Sequence, residues 1–562
     1  MIGRFHKVMA LAAVCVLAAL PGAAAAQAGA PPPLLVSYPE LAIVNAKVVT
    51  GDDRFSIHQA VAIRDGKVLA LGTTDQVRAL AGPRTRVVDA GGRTVLPGLN
   101  DSHVHLFRAG FRWKWEVRAD EAQSLADILA AVKARTQRVP PGTWILVLGG
   151  WHHTQLKERR MPTRAELDAV APNHPVHVQS GYDVAQMNAA AIKASGITGA
   201  TQAPPGAVLE KDAQGNFTGV IRGFMGMRFA ETKFPQPTLE EKVEGLRLAM
   251  RDFNASGLTS VIEGVGGGVS DDDYQALFEL WRRGQMTLRM GMHFTGYDPD
   301  HTLGWIRHIP AGFGDDMLRL NGVGEIVMWP MWDGAIPAQF TISQETKAQL
   351  QRILEAAARN KMTVQLHATL ETTMNTFLDV MEEVQRRQPL DHLRFALIHA
   401  DQITPRIIER MKALGMGALL QVRHTANSEG FAHAWGERAH DAPPFKAVLR
   451  SGLPTAAGTD GPIFVSFRPF IALWSLVSGK DWRGEVVHRT ERLTREEALR
   501  MYTRNGAWFT FEENKKGALI PGFLGDLIVL DKDYLTVPED EIRFIRPVMT
   551  VVGGTVVYEA QP

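Results

Sequence analysis

The sequence predicts an α/β protein: eight parallel strands closing into a β/α barrel, a small β-domain made from both chain ends, and a lobe inserted after the first barrel strand. Three observations predict it. Through most of the chain, short apolar runs alternate with longer amphipathic segments, the mark of repeated βα units. Short β-type runs broken by glycine turns occur only near the two ends. One connection, from about Phe107 to Leu239, is too long for a single crossover and carries apolar runs of its own, such as "TWILVLGGW" (143–151).

The first residues read as targeting rather than structure. Arg4 and Lys7 precede an apolar run from Val8 to Leu20 and then small residues around Ala24–Ala26, which predicts a secretory signal over 1–26. A proline-containing leader, 27–37, is expected to follow. The mature chain is therefore expected in the periplasm or outside the cell. The only cysteine, Cys15, lies inside the signal, so disulfides and a cysteine nucleophile are both excluded from the mature protein. No later stretch reaches the roughly 20 apolar residues of a membrane-crossing helix. With 61 basic against 60 acidic residues, nothing electrostatic points to nucleic acid or an anionic membrane; a small-molecule substrate is expected. A homo-oligomer is compatible with the sequence.

The β-domain is assigned first to 38–95, where "LAIVNAKVV" (41–49), Ala60–Ile63 and Lys67–Leu71 are separated by hairpin signals. Its second part, 508–562, contains "GALIPGFLGDLIVLD" and "VMTVVGGTVVYE". Barrel strand 1 and its motif occupy 96–106, the inserted lobe 107–239 and the rest of the barrel 240–507. The remaining strands are expected at Ser260–Ile262, Leu288–His293, Gly322–Met328, Thr363–Leu366, Arg394–Ile398, Ala418–Val422 and Thr455–Ala457, which with the strand ahead of His103 makes the eight that closure requires.

Ligand-type residues fall at the tips of these strands. In "LPGLNDSHVHLFRAG" (96–110), His103 and His105 are two apart, so in an extended chain they share a side and can aim at one point. Such a pair suits zinc or a similar ion, although alone it is a weak signal. His367 ends "TVQLH", His399 ends "RFALIH" and Asp460 follows "PTAAGT", each at the C-terminal end of an expected strand, where barrel active sites are assembled. Glu325 lies in "GVGEIVMW" among apolar neighbours; a carboxylate buried there calls for a cation, and between two ions it can bridge both. Tyr182 in "QSGYD" and His424 in "QVRHT" are candidate substrate contacts, or else pocket walls or satisfied polar groups of the core. Trp151, followed by His152 and His153, suits a substrate lid or a packed lobe core.

"VLPGLNDSHVHL", "VQLHA", "ALIHADQI", "AGTDGP" and "LTREEALRMYTRNGAWF…GALIPGFLGDLIVLD" resemble the amidohydrolase superfamily, and more narrowly the branch that includes N-substituted formamide deformylases. The likeness covers nearly all of the chain after the leader. It implies a distorted (β/α)8 TIM barrel carrying a β-sandwich built from both termini, with metal at the barrel mouth. By carry-over, His103, His105 and Asp460 hold one divalent ion, zinc first, and His367 with His399 a second, so that one or two ions are expected per chain. Relatives often bridge the ions with a carboxylated lysine; here Glu325 stands at the matching position. "HATLETT" departs from the run common after the fifth strand, which leaves that loop uninformative about substrate.

The implied activity is hydrolysis of a carbon–nitrogen bond (amide, formamide or cyclic amide) by metal-activated water, with Asp460 as general base. Two alternatives stand beside it. One is a single-metal deaminase of the same superfamily, for which Glu371 is one residue too distant from the fifth-strand histidine. The other is a periplasmic binding protein that kept the fold without the chemistry.

Overall fold

The computed structural model describes residues 37–561; the expected signal peptide and, but for residue 37, the expected leader lie outside the described residues. The compact unit beginning at Pro39 carries the barrel, the terminal β-sheets and the inserted lobe. Among the described residues no helix is long and apolar enough to cross a membrane.

Eight strands form one parallel sheet: Leu99–Val104, Leu258–Glu263, Arg289–Phe294, Leu318–Val323, Thr363–Ala368, Ala396–His399, Gly417–Gln421 and Thr455–Gly458, each paired with its neighbour in that order. The strands are buried along nearly their whole length, as expected where helices cover a parallel sheet. The helix Leu239–Ala255 illustrates the outer layer. Thr238 caps it through a reciprocal bond with Glu241, and Val243, Leu246, Met250 and Phe253 repeat at helical spacing against the sheet.

The first and last strands close the barrel through side-chain bonds and isolated backbone bonds rather than a paired ladder. The Asp101 carboxylate accepts from the Thr459 amide (3.0 Å), the Thr459 hydroxyl (2.7 Å) and the His103 amide (3.1 Å). The Asp460 amide then donates to the His103 carbonyl (2.9 Å). A Cβ on Gly458 would lie 2.6 Å from the His103 nitrogen, so only glycine lets the two strands come this close.

One expected strand is shifted. In place of Gly322–Met328, the fourth barrel strand is Leu318–Val323, and Glu325 lies beyond its end. Ile326, Val327 and Met328 are buried, but in a loop leading to the short turn Trp329–Met331. An apolar run that packs as a buried loop has the same composition as a strand, so hydrophobicity placed the element about four residues late.

The apolar stretch from Thr94 serves two sheets. Thr94–Pro97 pairs with Leu527–Leu530 and with Lys47–Val49, so N- and C-terminal strands share a six-stranded sheet, whereas Leu99–Val104 belongs to the barrel. A four-stranded sheet (Leu41–Val44, Ala60–Arg64, Lys67–Gly72, Arg86–Asp89) packs on it through Ile43, Val61, Val95, Val529 and Val551, completing the sandwich. Between the first two barrel strands stands a separate five-stranded sheet spanning Ile145–Val147 to Phe217–Arg222, flanked by the helices Leu125–Thr136 and Arg164–Val170.

A buried ion pair ties barrel to sandwich. Arg289 on the third barrel strand donates to Asp526 through Nε (2.7 Å) and Nη2 (2.9 Å), and Asp526 also accepts the Gly553 amide (2.8 Å). Asp526→Ala leaves the guanidinium buried and unpaired and is expected to cost about 3–5 kcal/mol in urea unfolding. The double replacement Arg289→Met with Asp526→Leu removes both charges and should cost less than the single one. A single-variant loss below about 1 kcal/mol would refute this role.

Candidate metal centre

The side chains marked out by strand position meet at the C-terminal mouth of the barrel. His103 is the penultimate residue of the first strand; His105 follows the strand and opens the helix Leu106–Gly110. His105 is thus aimed by the turn after the strand and not by strand alternation. His367 lies inside the fifth strand and His399 is the last residue of the sixth. His399 (φ 72°) and Asp460 (φ 65°) both adopt the left-handed conformation that non-glycine residues avoid. Such strain persists only where surrounding contacts enforce it, and it gathers at functional sites. Glu325 is strapped in place by its backbone, its amide donating to the Gly264 carbonyl (3.1 Å) and its carbonyl accepting from the His367 amide (3.2 Å).

The Asp460 Oδ1 lies 3.0 Å from His105 Nε2 and 3.6 Å from His103 Nε2. Glu325 Oε2 lies 2.8 Å from His103 Nε2 and 3.7 Å from His105 Nε2, while its Oε1 lies 3.4 Å from His367 Nδ1. His399 Nε2 is 3.0 Å from His367 Nδ1. Two trios of ligand atoms, His103/His105/Asp460 and His103/Glu325/His399, each fall within 4.8 Å of one another. Ligands bound at ~2 Å to a shared tetrahedral ion stand about 3.3 Å apart, so this spacing fits a divalent cation.

The hydrogen-bond pattern fits it equally. His103 Nε2 and Glu325 Oε2 are buried without a hydrogen-bond partner although they face each other. Burial alone would raise the Glu325 carboxyl, but the three surrounding imidazoles outweigh it and hold it well below its usual range. Burial, helped by the Arg423 guanidinium, keeps His399 neutral, the form in which imidazole binds metal.

Three contributors were not marked out by sequence. Asp333 Oδ1 lies 3.2 Å from His367 Nε2, beside the Gly334 carbonyl at 3.0 Å, so the Nε2 proton is claimed there and the Nδ1 lone pair faces Glu325. Asp333 is itself held by the Thr369 and Leu370 amides. Arg423 pairs with Asp401 and donates to the Ala335 carbonyl (2.7 Å) at the cavity wall. Arg108 donates to the Tyr182 hydroxyl at 2.6 Å. The only sequence signal for any of them was a charge in an apolar or aromatic setting, as in "WPMWDG".

Of the candidate substrate contacts, Tyr182 lines the cavity with His105, Glu325 and Asp460. Trp151 does not: it is fully buried in the lobe core with Ile145, Val147 and Leu167, the lobe-core reading and not the lid. His424 also stands apart from the cavity lining, stacked on Phe431 at 4.0 Å; it begins a helix that turns its ring inward. Phe224, Trp329 and Trp332 wall the cavity and continue into a wider groove that reaches Tyr297 and Arg228.

The sequence model of the amidohydrolase family matches residues 86–558. An N-substituted formamide deformylase of Arthrobacter pascens is 26% identical over 552 residues, covering 92% of this chain and 98% of the relative. The putative amidohydrolase YtcJ of Bacillus subtilis is 26% identical over 525 residues, covering 89% and 96%. A solved structure of an uncharacterized metal-dependent hydrolase from Pyrococcus horikoshii superposes with a TM-score of 0.64 at 23% identity over 89% of this chain and 99% of that one. The chain belongs to the amidohydrolase family and is a hydrolase of carbon–nitrogen bonds.

Proposed function

We propose that this protein hydrolyses an amide, formamide or cyclic-amide bond at a centre of one or two divalent ions, zinc first, held by His103, His105, Glu325, His367, His399 and Asp460. The observation that carries the reading is the pair of ligand trios sharing His103 at the barrel mouth. The deformylase relative supports the choice of bond.

A bound divalent cation supplies a water that gives up its proton near neutral pH and draws charge from the scissile carbonyl. The chain's own groups do the rest. Asp460, with Oδ1 3.0 Å from His105 Nε2, accepts the water's proton and returns it to the leaving nitrogen. Glu325 presents one oxygen to His103 and the other to His367, so a single carboxylate can face two ions and offset their repulsion. Asp333 holds His367 with its free lone pair toward the centre. The deaminase alternative needs an acid beside the fifth-strand histidine, and Glu371 is instead engaged by Arg438 at 2.9 Å.

Asp460→Asn is expected to cut turnover at least ~100-fold with the fold intact by circular dichroism; unchanged turnover would show that another group takes the proton. Chelation should abolish hydrolysis, and zinc or manganese should restore it. Pure protein that contains no transition ion and gains no hydrolysis on adding one would overturn the reading in favour of a binding protein. Asp333→Asn should weaken metal affinity about 10- to 100-fold, measured by competition with a chromogenic chelator, and equal affinity would remove Asp333 from the support of the site.

A further inference from the structure

Tyr182 reaches the cavity from the inserted lobe, two residues after the strand Val176–Ser180. Its ring is fixed: it meets Phe224 edge-on at 5.1 Å and lies 5.9 Å from Phe464. Arg108, one turn after the ligand His105, donates Nη2–H to the phenolic oxygen at 2.6 Å and Nη1–H to the Gly267 carbonyl at 3.3 Å. A guanidinium has donors and no acceptor, so it occupies the accepting side of the hydroxyl and cannot take the hydroxyl's own hydrogen. No hydrogen bond from that hydroxyl to another described residue is present. This half-buried donor, its hydrogen unclaimed, faces a cavity that it shares with His105, Glu325 and Asp460.

We propose that Tyr182 is a catalytic hydrogen-bond donor and that Arg108 is its positioning residue. The inference rests on the hydrolytic reading above. When the water oxygen bonds to the carbonyl carbon, the C=O electron pair moves onto the carbonyl oxygen, and the Tyr182 O–H donates to that oxygen without losing its proton. When the pair returns, the C–N bond breaks and the nitrogen leaves with the proton carried by Asp460. Burial pushes the phenol up, against the pull of Arg108 and with the help of Asp460, so at neutral pH the group is the intact O–H the step requires. Donation costs little reorganisation, because ring and oxygen are already held in place.

Tyr182→Phe removes only the hydroxyl. In metal-loaded protein assayed on N-formyl and N-acetyl anilides, benzylamides and lactams, kcat is expected to fall about 10²- to 10³-fold with KM within about threefold, and metal content and Tm unchanged. Affinity for a tetrahedral phosphonate analogue of the best substrate should fall by a similar factor, because the bond is made to the developing charge. Arg108→Lys keeps a donor but not its fixed geometry and is expected to fall between the two. A Tyr182→Phe enzyme with wild-type kcat, or one whose loss follows metal loss or appears in KM alone, overturns the proposal while leaving the hydrolytic reading in place. Wild-type protein that carries metal and hydrolyses none of the panel overturns both.

Discussion

Lone pairs facing one another in a buried space are the constraint on which this structure depends. His103, His105 and His399 turn Nε2, and His367 turns Nδ1, toward a point that Glu325 and Asp460 also approach, with contacts from 2.8 to 3.7 Å. Without positive charge at that point, two carboxylates and several imidazoles would be desolvated for nothing, at several kcal/mol for each unpaired charge. A divalent cation turns the same arrangement into a set of bonds. The rest of the mouth follows from it. The Asp101 carboxylate pins the closing strands so that His103 and Asp460 meet, and left-handed backbone at His399 and Asp460 is tolerated because both side chains are held by the cluster.

Much of this was legible because barrel geometry converts a one-dimensional pattern into a place. Any polar residue that ends an apolar strand of a β/α barrel faces the mouth, so "TVQLH", "RFALIH" and "TAAGTD" announce His367, His399 and Asp460 without knowledge of the packing. Glu325 was legible as an acid among apolar residues, although its strand lies earlier than the apolar run suggests. Arg108, Asp333 and Arg423 were not legible. Each acts through a partner remote in sequence: Tyr182, His367 and Asp401. Trp151 and His424 are the reverse case, since of the readings open for each the packed-core one is what the structure shows. Both are conspicuous beside strand ends, but the chain turns their rings into the lobe core and against Phe431, and sequence does not state that turn.

The lobe contributes to the site through Tyr182 and not through Trp151. Trp151 buries its whole side chain in the lobe, which stiffens the platform from which the loop after Ser180 projects. A hydroxyl delivered from a separately packed sheet and met by a guanidinium from the barrel ties two parts of the chain to one reacting atom. Phe224 extends the same logic, touching Tyr182 on one side and Trp332 on the other, so the rings that hold the donor also wall the route outward.

Glu325, which faces histidines on two sides, raises a problem of reach that the backbone resolves. A carboxylated lysine on the fourth strand projects its charge on a long stem, whereas glutamate is several bonds shorter and must start closer to the ions. Here the strand stops at Val323, and Gly324 takes φ 136°, with no room for a Cβ, which would lie 2.1 Å from the Gln365 carbonyl. The chain is thereby pressed against the fifth strand, and the amide and carbonyl of Glu325 bond to Gly264 and His367 on either side. The shorter side chain then reaches His103 and His367 with both oxygens. A glycine that a crowded backbone requires thus sets where the Glu325 carboxylate lies. It lets the glutamate reach both histidines with a charge that is native to the side chain.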